Sequence, residues 1–395
     1  MKKKILIFSL AYYPKHIGGA EVAIKEITDR LSPEEYEFHL VCNRFDSTLP
    51  KEEKVGNVTV HRIGLVTKSP DMGDLSKWPL HLNKLFYQFT SFGKAKKLHK
   101  IYRFDGIWAM MAHSTGVPAA RFKQAYPSVQ YVLNLQEGDP PEYIEKKMRV
   151  FGNWFKKAFT TADKIQVLSN FLARWARNMG YNKDIVLIPN GTDTTLFSRS
   201  LSEQSIKNTH DVVLVSTSRL VNKNALDDVI MALPLLPKNV RFVNYGFGPD
   251  KEKLHTLAET LKVSDRVELA PHPGVDKLPP YLHRADIFIR PSRSEGQGIS
   301  FIEAMAAGLP VIATQEGGIA DFLFDEKRNP NKGTTGWAVD ANSPEQIKLA
   351  VEDIINRPEK VTEVVVRAKA MAIEKYDWNL IAKRMDNEVF KPLFK

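Results

Sequence analysis

The sequence has a single cysteine, Cys42, among its 395 residues. One cysteine excludes an internal disulfide and a zinc site built from several thiolates, and it is typical of a reducing compartment. No apolar run approaches the ~20 residues that a membrane-spanning helix needs. The apolar segment 5–8 behind the basic start is interrupted by Ser9 and by the segment 12–15, which makes it too short for a signal peptide. We therefore expect a cytoplasmic protein.

Length and composition favour two globular domains. A chain of this length, with 43% hydrophobic and 26% charged residues, exceeds one ordinary domain. The net charge of +10 is concentrated in the first half. Residues 1–200 contain 30 Lys and Arg against 19 Asp and Glu, and the remainder contains 26 against 27. Any partner attracted by positive charge is therefore expected at the first domain.

The positive charge is densest beside a group of aromatic residues. The cations are Lys94, Lys96, Lys97, Lys100 and Arg103, and the aromatics are Phe86, Tyr87, Phe89 and Phe92. Such a segment fits peripheral contact with an anionic membrane, nucleic acid, or a solvated helix face, which is the commonest case. No recognised nucleic-acid motif accompanies it, so we expect no nucleic-acid partner.

Apolar strands alternate with helix-length segments in two successive series. The first series predicts strands at 4–8, 38–42, 106–110, 131–135, 164–168 and 186–188, and the second at 211–216, 240–244, 266–269, 287–289 and 310–313. A polar stretch, 198–210, separates them. This alternation predicts an α/β protein with two Rossmann-like, doubly wound domains facing across a cleft. Ligands of such sheets bind outside the carboxyl ends of the strands.

One motif follows the strand at 287–289 and ends at Gly308. Its candidate binding residues are Glu295, Gly296, Gln297, Gly298, Ile299 and Glu303. The glycines allow a tight turn, and the helix predicted from Phe301 to Ala307 would present an N-terminus that favours phosphate. We expect Glu295 to reach sugar hydroxyls and Glu303 to accept hydrogen bonds from a ribose. Glutamates at both ends make an ordinary solvated turn the weaker interpretation.

This segment closely resembles the glutamate, seven residues, glutamate motif of retaining glycosyltransferases of family four, which have the GT-B fold of two Rossmann-like domains. Further segments are similar to motifs of that family in the same order, over essentially the whole chain. They are the glycine loop 12–21 with Gly18 and Gly19, the turn 189–193 with Asn190, the arginine–lysine motif 218–224, the turn 245–249 with Gly246, the pair Gly317–Gly318, and the start of a last helix at 376–378.

The resemblance implies an acceptor domain over residues 1–192 and a nucleotide-sugar donor domain over 193–377. It also implies a last helix, about 378–395, that packs back on the first domain. The implied activity is retaining hexosyl transfer from a nucleotide-sugar, by default a UDP-sugar. The excess positive charge of the first domain, taken with its aromatics, favours a glycan or lipid-linked acceptor, as in cell-surface polysaccharide or glycolipid synthesis. It also favours peripheral contact of the enzyme with the cytoplasmic face of a membrane.

The leaving diphosphate needs positive charge, which by resemblance comes from Arg219 and Lys223 and from the amides of Gly18 and Gly19. A divalent metal performs this task in other enzymes. The sequence has no Asp-x-Asp cluster suited to Mg²⁺. We therefore expect neither a metal nor a cofactor.

The sequence departs from the family pattern at two places. The family usually shows Lys-Gly after its arginine, and here Lys223 precedes Asn224–Ala225, so the lysine sits one place early or belongs to a variant. The family commonly has a histidine after the strand at 131–135, where this chain has Gln136 and Glu137.

We expect Gln136 or Glu137 to take over the sugar contact of that histidine, with Glu137 as a candidate catalytic group. His113 is a further candidate, although a lone histidine is more often a packed residue. Asn190 is a candidate site residue only because it belongs to the turn motif 189–193.

Two other functions fit the same pattern. A nucleotide-sugar epimerase shares the fold, and a non-catalytic relative that binds nucleotide-sugars would share the pocket. An NAD-dependent oxidoreductase would need Gly-x-Gly-x-x-Gly directly after a first strand, and neither series has it.

Overall fold

The computed structural model describes residues 2–15, 17–71, 73–198 and 211–394. The chain divides into two compact units, one formed by Met1–Asn190 with Trp378–Lys395 and the other by Gly191–Asp377. Each unit contains its own largely parallel sheet. Apart from Ser198, the polar stretch expected between the units lies outside the described residues.

The first unit is built on a sheet with the strand order β3-β4-β2-β1-β5-β6-β7-β8. Its strands are β1 (Lys3–Phe8), β2 (Tyr36–Asp46), β3 (Glu52–Val55), β4 (Val58–Thr67), β5 (Gly106–Met110), β6 (Gln130–Leu135), β7 (Lys164–Val167) and β8 (Ile185–Leu187). All neighbours pair in parallel except β3 and β4. Its first helices are α1 (Gly19–Arg30), α2 (Leu82–Tyr102), α3 (Val117–Ala125), α4 (Pro141–Met148), α5 (Asn153–Thr160) and α6 (Asn170–Asn178).

The second unit has a parallel sheet with the order β11-β10-β9-β12-β13-β14. Its strands are β9 (Val212–Thr217), β10 (Val240–Tyr245), β11 (Val267–Ala270), β12 (Ile287–Arg290), β13 (Val311–Ala313) and β14 (Trp337–Ala338). Its helices are α7 (Thr194–Phe197), α8 (Leu226–Ala232), α9 (Lys251–Thr260), α10 (Pro279–Leu282), α11 (Ile299–Ala306), α12 (Pro344–Asn356) and α13 (Pro358–Tyr376).

The apolar runs that predicted the strands are explained by burial of both sheet faces. In the second unit Leu214 and Ile287 belong to one hydrophobic core, while their neighbours Val215 and Phe288 belong to another. Successive side chains of a strand point to opposite faces, so a parallel sheet covered on both sides needs continuous apolar segments. The predicted α/β fold class is confirmed.

The end of the chain packs on the first unit through α14 (Trp378–Arg384) and α15 (Lys391–Leu393), which a π-helical turn joins. The Asp386 carboxylate accepts a 2.6 Å hydrogen bond from the Tyr36 hydroxyl. Phe390 packs edge-on against Trp108, with 5.3 Å between ring centroids. A side chain at Gly106 would overlap the Phe394 ring, so glycine in β5 allows this close approach.

Among the described helices, none combines the length and the apolar composition that a membrane span requires.

Candidate functional site

In the second unit, the loops that follow β9, β10, β12 and β13 interlock at the carboxyl edge of the sheet. A Cβ atom at Gly246 would overlap the carbonyl oxygen of Ser218, so the turn after β10 lies directly on the loop after β9. Gly317 has φ 61°, and a Cβ there would overlap the Glu295 carbonyl oxygen. That same oxygen accepts a 2.9 Å hydrogen bond from the Gly318 amide. Glycine at these positions therefore brings the predicted arginine, glutamate and glycine motifs together.

Arg219 lies on the loop after β9 with an exposed side chain, and its guanidinium forms no ion pair within the described part of the chain. The backbone beneath it is held in place. Asn224 donates a 2.8 Å hydrogen bond to the Arg219 carbonyl oxygen, and the Leu220 amide donates to Phe247. Arg219 is thus a cation on an anchored backbone, and an anionic ligand can reach its exposed side chain.

Lys223 belongs to a short 3₁₀ turn whose backbone carbonyl accepts a 2.8 Å hydrogen bond from the Arg293 amide. This bond ties the lysine segment to the loop that carries Glu295. Ala225 has φ 54°, the left-handed region that favours glycine. Ala225 therefore has a backbone conformation that a glycine would adopt without strain.

The two glutamates of the main motif differ in environment. Glu295 lies on the loop, where its Oε2 is 2.7 Å from Nη2 of Arg290 and its Oε1 accepts from the Gly296 amide at 3.0 Å. Glu303 lies in the second turn of α11 and is 8% exposed. Burial raises the pKa of Glu303 to about 7, although the charge of Arg290 opposes the rise. Glu303 therefore changes its charge near neutral pH.

The remaining motif residues shape the start of α11. Gly298, with φ 83°, precedes its first residue, Ile299, which is half-buried. Gln297 is buried, as is Gly296.

Arg290 is a functional candidate that the sequence analysis missed. It ends the buried strand β12 and is 6% exposed. An arginine at the end of an otherwise apolar strand, directly before a glutamate motif, is a signal that could have identified it, because buried charges are rare unless they are paired.

In the first unit, Gly18 is the N-cap of α1 and Gly19 is its first residue, after the loop that follows β1. The Gly18 amide donates a 2.8 Å hydrogen bond to Oε2 of Glu21, and Ser9 contacts the other oxygen at 3.5 Å. Burial raises the pKa of Glu21 to about 6. The expectation that both glycine amides face a phosphate needs correction, because the Gly18 amide caps its own helix with Glu21. The Gly19 amide remains a candidate contact for the donor phosphates.

Glu137 does not have the place expected for a sugar contact. It is 1% exposed, and its carboxylate lies 3.0 Å from the Gln136 amide and 3.4 Å from Nδ1 of His113. The structure thus pairs two candidates that follow the neighbouring strands β5 and β6. The side chain of His113 is 29% exposed. The imidazole is thus partly open to a ligand, with Nδ1 facing Glu137 and Nε2 3.0 Å from Oγ of Ser114.

Gln136 and Asn190 form a second contact at the same edge. The Asn190 side-chain amide donates a 2.9 Å hydrogen bond to Oε1 of Gln136. Gln136 is half-buried and Asn190 is 5% exposed. The carboxyl edge of the first sheet therefore carries a polar cluster of its own.

Within the described ranges, no three His, Cys, Asp or Glu side chains are grouped so that they could hold a metal ion.

Both units of the chain match models of known families. Residues 17–196 match the model of Glycosyltransferase Family 4, and residues 198–371 match that of Glycosyl transferases group 1. The two matches meet at residues 196–198, a few residues after the boundary between the two units at Asn190 and Gly191.

The chain is similar to the GDP-mannose-dependent alpha-(1-6)-phosphatidylinositol monomannoside mannosyltransferase of Mycolicibacterium smegmatis, with 29% identity over 240 residues. The alignment covers 57% of this chain and 61% of that protein.

Two solved structures share the fold over nearly the whole length of both chains. Sucrose-phosphate synthase of Thermosynechococcus elongatus has a TM-score of 0.82 and 18% identity. This match covers 100% of this chain and 99% of the synthase chain. The structure of HepE of Anabaena in complex with UDP-glucose has a TM-score of 0.73 and 20% identity. This match covers 98% of this chain and 99% of the HepE chain. The chain thus belongs to glycosyltransferase family 4, whose members are glycosyltransferases with the GT-B fold.

Proposed function

We propose that the protein is a retaining, metal-independent glycosyltransferase that moves a hexose from a UDP-sugar to a glycan or lipid-linked acceptor. The observation that carries the proposal is the cluster of the second unit. There an exposed Arg219, with no ion-pair partner among the described residues, stands on a loop that interlocks with the loop of Glu295, which leads into the helix of Glu303. The first unit takes the acceptor in this proposal, and the second unit holds the donor.

The chemistry follows from the charges that form when the anomeric bond breaks. Negative charge builds on the departing diphosphate, and Arg219 with Lys223 stabilises it without a metal. Glu303 accepts hydrogen bonds from the ribose, and Glu295 from the hydroxyls of the sugar. The acceptor attacks from the face that the diphosphate leaves, so that a phosphate oxygen takes the acceptor's proton and the anomeric configuration is retained.

His113 contacts the transferred sugar in this proposal, with Gln136 beside it. Glu137 acts through His113, because its carboxylate is buried against the imidazole. A carboxylate that accepts from one ring nitrogen sets the tautomer and the direction of the other.

GDP is a second candidate, beside UDP, for the nucleotide of the donor. HepE is the UDP-glucose-bound structure of the same fold, whereas the mycobacterial relative, with its higher identity of 29%, is named for GDP-mannose. Thermal unfolding with UDP, GDP and ADP, each with and without EDTA, separates these cases. We expect UDP to raise the unfolding temperature most and EDTA to leave the shift unchanged. A shift that disappears with EDTA would contradict metal independence.

An apolar surface supports a lipid-linked acceptor. Four side chains, here named the α2 patch, are 43–76% exposed; they are Leu85, Phe86, Phe89 and Val150. Phe89 lies 6.3 Å from the Phe151 ring between centroids, which places the turn after α4 beside α2. Exposed lysines follow on the same helix at positions 96, 97 and 100. Apolar side chains with flanking cations suit peripheral contact with an anionic membrane.

The α2 patch lies close to the polar cluster of the first unit. Gln88 of α2 donates a 2.9 Å hydrogen bond to the Ser114 carbonyl oxygen, next to His113. A membrane-bound acceptor at the patch would therefore be near the loop of His113. One aromatic expected at this surface, Tyr87, is instead fully buried with its hydroxyl on the Val41 carbonyl oxygen, at 2.7 Å.

The central test is Arg219→Ala. We expect transfer from a UDP-sugar to fall at least about 10²-fold, because removal of one pre-placed donor to a developing anion typically costs that much. Arg241→Ala is the matched control, since Arg241 is an exposed arginine in β10 of the same unit. Activity of Arg219→Ala equal to that of the control would contradict the proposed site.

The alternatives are separated by incubation of the donor alone. A new sugar epimer without any acceptor would indicate an epimerase of this fold. Nucleotide binding without any turnover would indicate a non-catalytic relative.

A further inference from the structure

The guanidinium of Arg290 lies between the residues that the proposed function assigns to the donor. Nη2 is 2.7 Å from Oε2 of Glu295, and Nη1 donates to Ser300 Oγ at 2.8 Å. Ser300 lies in the first turn of α11, the helix that carries Glu303. One side chain from the end of β12 thus connects the loop glutamate to the helix of the second glutamate.

The surroundings of Arg290 leave its guanidinium little freedom. It stacks on the Phe301 ring, with 4.2 Å from its central carbon to the ring centroid. On the loop side, a Cβ atom at Gly298 would lie 2.5 Å from Nη2. Gly298 has φ 83°, which favours glycine independently. The aromatic face and the glycine together fix where the guanidinium meets Glu295.

This burial carries a cost in stability. Nε of Arg290 is buried and has no hydrogen-bond partner among the described residues. An unpaired buried donor and a desolvated charge both weaken the folded state. An apolar residue at the end of β12 would avoid both costs, so stability alone does not explain an arginine here.

Arg290 acts electrostatically on both glutamates. Burial lowers the pKa of Arg290, and the charge of Arg219 lowers it further. The carboxylates of Glu295 and Glu303 raise it. Among the described residues, Arg290 is the charged group that lowers the pKa of Glu303 against the effect of burial. The cation therefore favours the ionised form of Glu303.

We infer that Arg290 is the positioning residue of the donor site: it holds the Glu295 carboxylate in one orientation and ties it to the first turn of the helix that carries Glu303, so that both glutamates accept hydroxyl groups of the nucleotide-sugar. A carboxylate has about four acceptor positions. Arg290 and the Gly296 amide use two of those of Glu295 and leave two for sugar hydroxyls. The inference rests on the proposed function, since it assumes that these glutamates bind the donor.

The test compares Arg290→Met and Arg290→Lys with the wild type in donor binding by calorimetry, from pH 6 to pH 9. In the wild type we expect affinity to rise with pH through about 7, as Glu303 ionises. Without the cation, the pKa of Glu303 is higher. Affinity of Arg290→Met should therefore be about 10- to 100-fold weaker at pH 7 and recover partly at pH 9. Arg290→Lys should lie between the two.

Two further variants separate positioning from general damage. Arg293→Met removes another arginine of the same loop, whose ion pairs go to Asp227 and Asp228 at 2.9 and 2.7 Å. It should lower the unfolding temperature without moving the pH at which affinity rises. Glu295→Gln combined with Arg290→Met should bind the donor at pH 9 about as weakly as Glu295→Gln alone, because Arg290 then acts through Glu295.

The inference is overturned if folded Arg290→Met keeps the wild-type KM, affinity and pH dependence, or if Arg293→Met shifts the pH dependence equally. If Arg290→Met does not fold, Arg290→Lys decides by the same criteria. Absence of nucleotide binding and transfer in the wild type is a different result, which rejects the proposed function and the inference with it.

Discussion

Gly317 illustrates how a residue can be required by a neighbouring backbone. We expect Gly317→Ala to lower the free energy of unfolding by about 2–3 kcal/mol, because the new Cβ overlaps the Glu295 carbonyl oxygen at a positive φ. Displacement of Glu295 should also weaken donor binding. Urea denaturation and calorimetry measure both effects.

Gly93→Ala is the control for that substitution. Gly93 lies inside α2, and a Cβ there meets nothing within 4 Å. Alanine should therefore raise stability by about 0.5–1 kcal/mol through helix propensity. Loss of stability in Gly93→Ala, or none in Gly317→Ala, would contradict the packing described above.

Glu137 allows a test of its action through His113. In Glu137→Gln the amide can still fill the site but no longer carries the charge that faces Nδ1 of His113 at 3.4 Å. We expect kcat to fall about 10- to 100-fold with a donor KM within about threefold of the wild type. Steady-state kinetics with varied donor gives both constants. An unchanged kcat would remove the pair from the reaction.

At the residue scale, the sequence predicted what depends on local spacing. Glu295 and Glu303 are separated by seven residues in one loop and helix, and their motif identified them directly. The contact of His113 with Glu137 depends on the adjacency of β5 and β6 in the sheet. The ion pair of Arg290 depends on a side-chain orientation set by Phe301. Neither can be deduced from spacing.

At the scale of single elements, α2 combines an inner face that packs on the sheet with an outer face that exposes phenylalanines. Replacement of Phe86 and Phe89 by serine should reduce flotation with anionic liposomes at least about tenfold, since each loses apolar area that a lipid surface would cover. Folding should not suffer, because both side chains are exposed.

Leu349→Ser is the control for the α2 patch. Leu349 is 61% exposed on α12 of the second unit, the part of the chain without excess positive charge. The Leu349→Ser protein should float with anionic liposomes to the same extent as the wild type. Equal flotation of all three proteins would contradict membrane contact through α2.

The strands were predictable where burial on both faces makes them continuous apolar runs. The strands β3 and β4 were missed. β4 contains His61 and Arg62 among its apolar residues, and both are buried through pairing rather than through apolar character. His61 binds His39 and Glu52, and Arg62 bonds to the Tyr13 carbonyl oxygen at 2.7 Å. These partners of His61 and Arg62 lie on other segments of the chain, so the local sequence pattern could not reveal β4.

For the whole molecule, the restart of the strand pattern after residue 210 predicted a second unit. The return of the chain to the first unit at Trp378 followed only from the family resemblance, since nothing in the local sequence of α14 specifies its partner. The second unit begins and ends at one place. The Thr192 amide donates to the Tyr376 carbonyl oxygen at 2.7 Å, and Thr194 Oγ1 donates to the Asp377 carboxylate at 2.6 Å.

The second unit is therefore inserted within the chain of the first, and this order matters during translation. When Asp377 has left the ribosome, every residue of the second unit has been synthesised. The first unit, although most of it was made earlier, still lacks Phe390 and Phe394, which cover Trp108 and Gly106. The nascent protein thus carries an incomplete first unit with an open apolar surface until the segment of Phe390 and Phe394 emerges.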